Sequence, residues 1–123
     1  MANRCENILV VSGENVTPFI ELMDNVESGT FCYDKPFVEY DSEDKVQFSF
    51  DTAWKPCLEW LIQQSRIHSA LTFDLSYHEA GCFMCGTYYV ENGEVLCGQH
   101  YEEKNEKSLN FLKDVFGFDN YPC

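Results

Sequence analysis

The chain has 123 residues, a hydrophobic fraction of 45% and an aromatic fraction of 15%, enough for one folded core and too apolar for a disordered tail. Its 21 acidic and 8 basic side chains leave a net charge of −13, which repels phosphate backbones and argues against nucleic-acid binding through a broad basic face. That charge lies beyond the magnitude of about 2 to 8 that solubility asks of a small domain, so a protein partner with a basic surface has to be considered.

The N-terminal Met1-Ala2-Asn3-Arg4 carries no apolar h-region, and no stretch reaches the length of a membrane span. A reducing cytoplasm, with no membrane contact, is the expected compartment. Seven cysteines there point to thiols and metal rather than to a disulfide framework.

In chain order, the first strand is expected over Glu6 to Ser12, a mainly apolar run broken by Gly13. Thr17-Pro18 then supplies an N-cap and a first helical position. Phe19, Leu22 and Met23 follow at one-turn spacing, and the helix is expected to end near Asn25. Glu27 to Pro36 is turn-rich, with a short irregular piece around Phe31 and Tyr33. A second strand is expected through Phe37, Val38 and Tyr40.

The acidic turn Asp41-Ser42-Glu43-Asp44 leads into a strand in which Val46, Phe48 and Phe50 alternate with Gln47, Ser49 and Asp51. Asp41, Glu43 and Asp44 are the candidate partner-binding carboxylates. Lys55-Pro56 opens a second helix with a stripe of Leu58, Leu61, Ile62 and Ser65. Leu71, Phe73 and Leu75 make the next alternating strand. The order to this point is β-α-β-β-α-β, that of a ferredoxin-like α+β fold with two helices on one sheet.

Residues 81–123 carry the candidate metal chemistry. Cys82-Phe83-Met84-Cys85 precedes Cys97-Gly98-Gln99-His100, and two ligand pairs at two-residue spacing form a candidate tetrahedral zinc site. Between them Thr87 to Val90 is β-prone, Asn92-Gly93 asks for a type I′ turn, and Glu94 to Leu96 returns. A helix is expected from about Tyr101 to Phe116, which places the second ligand pair at a helix start. Buried thiols, a disulfide and a redox Cys-x-x-Cys are the competing readings. Of these, the redox pair leaves Cys97 and His100 unexplained. The expected organisation is an α+β core over residues 1–80 and a zinc-stapled hairpin with a C-terminal helix over 81–123, packed as one unit. Cys5, Cys32, Cys57 and Cys123 lack ligand spacing and are expected to be structural.

The run from Tyr88 through Val90, Asn92-Gly93 and Cys97 to Tyr101 resembles the end of a LIM-type treble-clef finger. Met1-Ala2-Asn3, Cys5-Glu6-Asn7, Phe48-Ser49-Phe50-Asp51-Thr52-Ala53-Trp54, Pro56, Tyr77 and Glu79 resemble the YubB-type ferredoxin-like proteins of phages and plasmids. That resemblance implies a ferredoxin-like fold on a mobile genetic element, with no catalytic residues to carry over.

Other constellations have simpler explanations. Asp51 and Thr52 suit turn chemistry at a strand-to-helix junction, with Trp54 expected to plug the core beneath the helix. Glu79 is expected to be exposed at a strand end, and His68 to cap the second helix. Leu109, Leu112, Val115 and Phe116 form the apolar stripe of the last helix, and Phe118, Tyr121 and Cys123 form an aromatic tail. A closed four-ligand zinc site is structural. The leading expectation is therefore a non-enzymatic acidic protein acting on a host or defence complex. The alternatives are a zinc-stabilised nucleic-acid module using Lys104, Lys107 and Lys113, and a small metal-dependent enzyme.

Overall fold

A computed structural model describes residues 4–26, 32, 36–42, 44–81 and 83–117. Six strands and three helices follow in the order β1 (Arg4–Ser12), α1 (Thr17–Asp24), β2 (Phe37–Asp41), β3 (Lys45–Ala53), α2 (Leu58–Ile67), β4 (Thr72–Glu79), β5 (Met84–Glu91), β6 (Glu94–Tyr101) and α3 (Glu106–Phe116). The strands form one sheet in the order β2-β3-β1-β4-β5-β6, antiparallel at every junction. The first four strands and two helices are the ferredoxin-like β-α-β-β-α-β unit. The β5–β6 hairpin lengthens the same sheet beyond β4.

Side-chain alternation gives the sheet two unlike faces. On the front, Leu9 lies between Phe48 and Leu75, and Val11 between Val46 and Phe73. Phe19 and Met23 of α1 and Leu61 of α2 close over them as one buried cluster. Phe19 stands edge-on to Phe48, Phe73 and His68 at centroid separations of 5.9, 5.3 and 5.4 Å. Each fully buried side chain of this size contributes about 1.5–3 kcal/mol through removal from water. The α2 stripe is as expected, with Leu61 and Ser65 buried and Leu58 and Ile62 half-buried against the core.

On the back, α3 lies across the lower end of β5. Leu112 packs with Cys85 and Phe83, and Phe111 and Phe116 flank them. The last helix starts five residues later than expected. Tyr101 completes β6, and Asn105 then caps α3 by accepting from Ser108 N at 2.9 Å while Ser108 Oγ accepts from Asn105 N at 2.9 Å. This cap also sets the helix rotation, burying Ser108, Leu112 and half of Phe111, while Leu109 and Val115 stay exposed. The irregular piece at Phe31 and Tyr33 and the tail at Phe118, Tyr121 and Cys123 lie outside the described residues.

Candidate functional site

A concavity opens on the front face where β3 turns into α2 and faces β4, β5 and β6. Its cavity volume is about 490 Å³, within the usual span for small-ligand pockets. Thr52, Lys55 and Cys57 line one side; Tyr77, Tyr88 and His100 line the other.

The first wall is shaped by a tight turn. Lys55 N donates to Ala53 O at 2.7 Å while Trp54 sits at φ 68°, a γ-turn of the strained, positive-φ kind. Thr52 anchors the turn from inside the sheet: it accepts from Asn7 Nδ2 at 2.9 Å and donates to Lys55 O at 2.6 Å. Turn chemistry thus accounts for Thr52 as expected. Trp54 does not plug the core: with its backbone reversed, the indole is 50% exposed.

The second wall is an aromatic stack. Tyr77 lies near-parallel to Tyr88 at 5.5 Å and to His100 at 5.8 Å. Gly86 makes room for it, since a Cβ there would sit 2.7 Å from the Tyr77 hydroxyl and 2.0 Å from Gln99 O. Burial, with Tyr88 beside it, pushes the Tyr77 phenol up, so Tyr77 donates its proton to His100 Nδ1. With Nδ1 accepting, the single proton of the neutral His100 ring sits on Nε2, which faces Glu102 Oε1 at 3.0 Å. The chain Tyr77–His100–Glu102 joins the pocket floor to solvent and can relay a proton. Burial also pushes the Cys57 thiol up, which disfavours its thiolate form.

Of the expected zinc ligands, the three that the structure describes, Cys85, Cys97 and His100, do not converge. Cys85 pairs with Tyr101 and His100 with Gly86, so Cys85 faces the back and His100 the front. Cys97 shares the back face with Cys85 but pairs with Tyr89, four strand positions away, about 13 Å at strand spacing. Cys82 lies outside the described residues. Cys97 and His100 sit within a strand rather than at a helix start, because the hairpin continues regularly to Tyr101. Among the described residues no three His, Cys, Asp or Glu side chains gather as a metal group.

Glu79 is buried rather than exposed, its Oε1 accepting from Gly81 N at 2.7 Å. His68 is half-buried against Phe19. Of the candidate partner-binding carboxylates, Asp41 closes β2, Asp44 accepts from Ser42 Oγ at 3.0 Å, and Glu43 lies outside the described residues. The acidic groups that do share a surface are on the back of the sheet: Glu6, Glu39, Asp51 and Asp74. Strand parity places Glu6, Asp51 and Asp74 there, and Ser49 Oγ donates to Glu39 Oε1 at 2.9 Å. Glu6, Glu39 and Asp51 line a shared groove. The period-2 pattern held this signal, but without a strand order the four carboxylates could not be assigned to one patch.

Residues 24–119 match the family described as the ferredoxin-like domain in Api92-like protein, and the chain belongs to that family. Neither a curated protein nor a solved structure matches it.

Proposed function

We propose that the chain is a non-enzymatic acidic interaction protein of a phage or plasmid. It docks on the basic surface of a host or defence complex that handles nucleic acid, and so competes with that complex's own ligand. The observation that carries this reading is the net charge of −13, with Glu6, Glu39, Asp51 and Asp74 together on a sheet face that α1 and α2 leave uncovered. Arg4 offsets Asp51 at 3.2 Å, a surface pair of little energetic weight. An array of carboxylates on one sheet face concentrates negative charge, as a run of phosphates does, and steers association with cationic channels. The mobile-element origin follows from the sequence resemblance alone.

The test is capture from bacterial lysate with the wild-type chain and with an E6K/E39K/D51K/D74K variant. Nucleic-acid enzymes should be captured by the wild type alone, released by competing duplex DNA and by raising salt from about 0.05 to about 0.5 M. Capture that ignores salt, or that the variant retains, sinks the proposal.

A further inference from the structure

The two edges of the sheet are protected very differently. At one edge β2 has five residues, a register shift between Val38 and Tyr40, and a carboxylate at Glu39. These are devices that keep an edge from pairing. At the other edge β6 has eight residues, pairs among the described residues only with β5, and is exposed from Glu94 to His100. It contains no proline, lysine or arginine and one carboxylate, Glu94. Val95 and Leu96 are 42% and 53% exposed. The hairpin has a register shift opposite Tyr89 and Val90, but from Cys97 to Tyr101 the strand runs regularly against Tyr89 to Cys85. One side of that backbone presents donors and acceptors with no strand beside them among the described residues.

The edge is also held firmly. Gly93 N donates to Ser65 Oγ at 2.7 Å, and the Arg66 side chain lies so close over Gly93 that a Cβ there would meet its Nε at 2.5 Å. Helix α2 thereby clamps the hairpin, so a guest strand meets a pre-formed partner and little ordering cost.

Charge selects the guest. Glu91 and Glu94 flank the hairpin turn, Glu102 and Glu103 follow the strand's other end, and the whole chain carries −13. A second copy would bring like charges together at both ends of the edge. A cationic strand gains at both ends, with Glu102 exposed beside His100 for one of its side chains. We infer that the β6 edge takes up an extended, basic segment of a partner protein as a seventh antiparallel strand. Main-chain hydrogen bonds to Cys97–Tyr101 supply affinity, and the bracketing glutamates supply selectivity. The proposal borrows only the partner's positive charge from the function proposed above; the surface is a different one.

The test titrates ¹⁵N-labelled protein with a terminally blocked octapeptide of alternating lysine and valine. Shift changes should centre on Cys97–Tyr101, and amide exchange there should slow at least about tenfold as new ladder bonds form. The same peptide with alternate amides N-methylated keeps its charge and should lose binding. An E94K/E102K variant, altered only at exposed positions, should weaken binding severalfold. Shifts confined to Glu6, Glu39, Asp51 and Asp74 would overturn the edge while leaving the acidic face intact. No binding at millimolar peptide, equal binding of the methylated peptide, or a peptide-free dimer that already protects β6 would overturn it as well.

Discussion

Gly86 is the residue on which the aromatic wall depends. A methyl group there would meet the backbone oxygen of Gln99 at 2.0 Å, and backbone cannot swing aside. At Gly98 the nearest atom is Tyr88 Cδ1 at 2.9 Å, the edge of a ring that can tilt. Gly86→Ala should therefore cost about 3 kcal/mol or more, and Gly98→Ala about 1–2 kcal/mol, by denaturant unfolding. Equal costs would mean that the close packing of β5 on β6 is wrong. The thiols divide just as sharply. Cys97 is exposed and should alkylate within minutes at pH 8, whereas Cys5 and Cys85 are buried and should resist until unfolding. Burial raises Cys85 from 9.0 to about 11 and Cys5 to about 12, with the Glu79 carboxylate adding to the latter. Since the fold holds these protons more tightly than the unfolded chain, their stabilisation is complete below pH 9 and is lost as pH climbs through 11 and 12. Urea midpoints should fall over that range, and Cys85→Ala should flatten part of the decline.

At the scale of elements, the capping box tests how α3 is set. Asn105→Ala removes the acceptor for Ser108 N and should cost about 1 kcal/mol, with α3 amides exchanging faster than those of α1 and α2. How much of this architecture was legible in the sequence varied by element. Strands β1, β3 and β4 announced themselves, because Val46-Phe48-Phe50 and Leu71-Phe73-Leu75 alternate against polar neighbours and one face is buried. β6 was only half legible: Cys97-Gly98-Gln99-His100 has ligand spacing and no β-branched residue, while its strand character comes from pairing with β5. The pocket was illegible. Tyr77, Tyr88 and His100 belong to three strands, and only the register brings their rings together. Trp54 was misplaced because local pattern suggests burial for an indole, whereas the γ-turn that exposes it depends on contacts from Asn7, more than forty positions earlier.

For the molecule as a whole, −13 on 123 residues means that like charges crowd the folded surface. The matched family spans residues 24–119, and among the described residues no helix is long and apolar enough to cross a membrane. Folding brings the carboxylates closer than they are in the open chain, so screening should favour the folded state. Raising salt from about 0.01 to 0.1 M shortens the screening length from about 30 to 10 Å and should lift the melting temperature by several degrees. A flat response would show that the acidic groups are too dispersed to act as a single field.

The position of β1 at the centre of the sheet governs how fast the chain can fold. Cys5 must find Thr52 on one side and Glu79 on the other, so enclosing β1 requires contacts far apart in the chain. The β4–β5–β6 meander closes through two short turns and has no such wait. Loop closure over long separations is entropically costly, and topologies of this kind fold slowly. Val90→Ala in the meander should slow refolding, whereas Val11→Ala in β1 should chiefly hasten unfolding, a contrast that stopped-flow chevrons read directly. Until β1 docks, both the β3 and β4 edges are open, and that interval is when the chain is most exposed to pairing with the wrong strand.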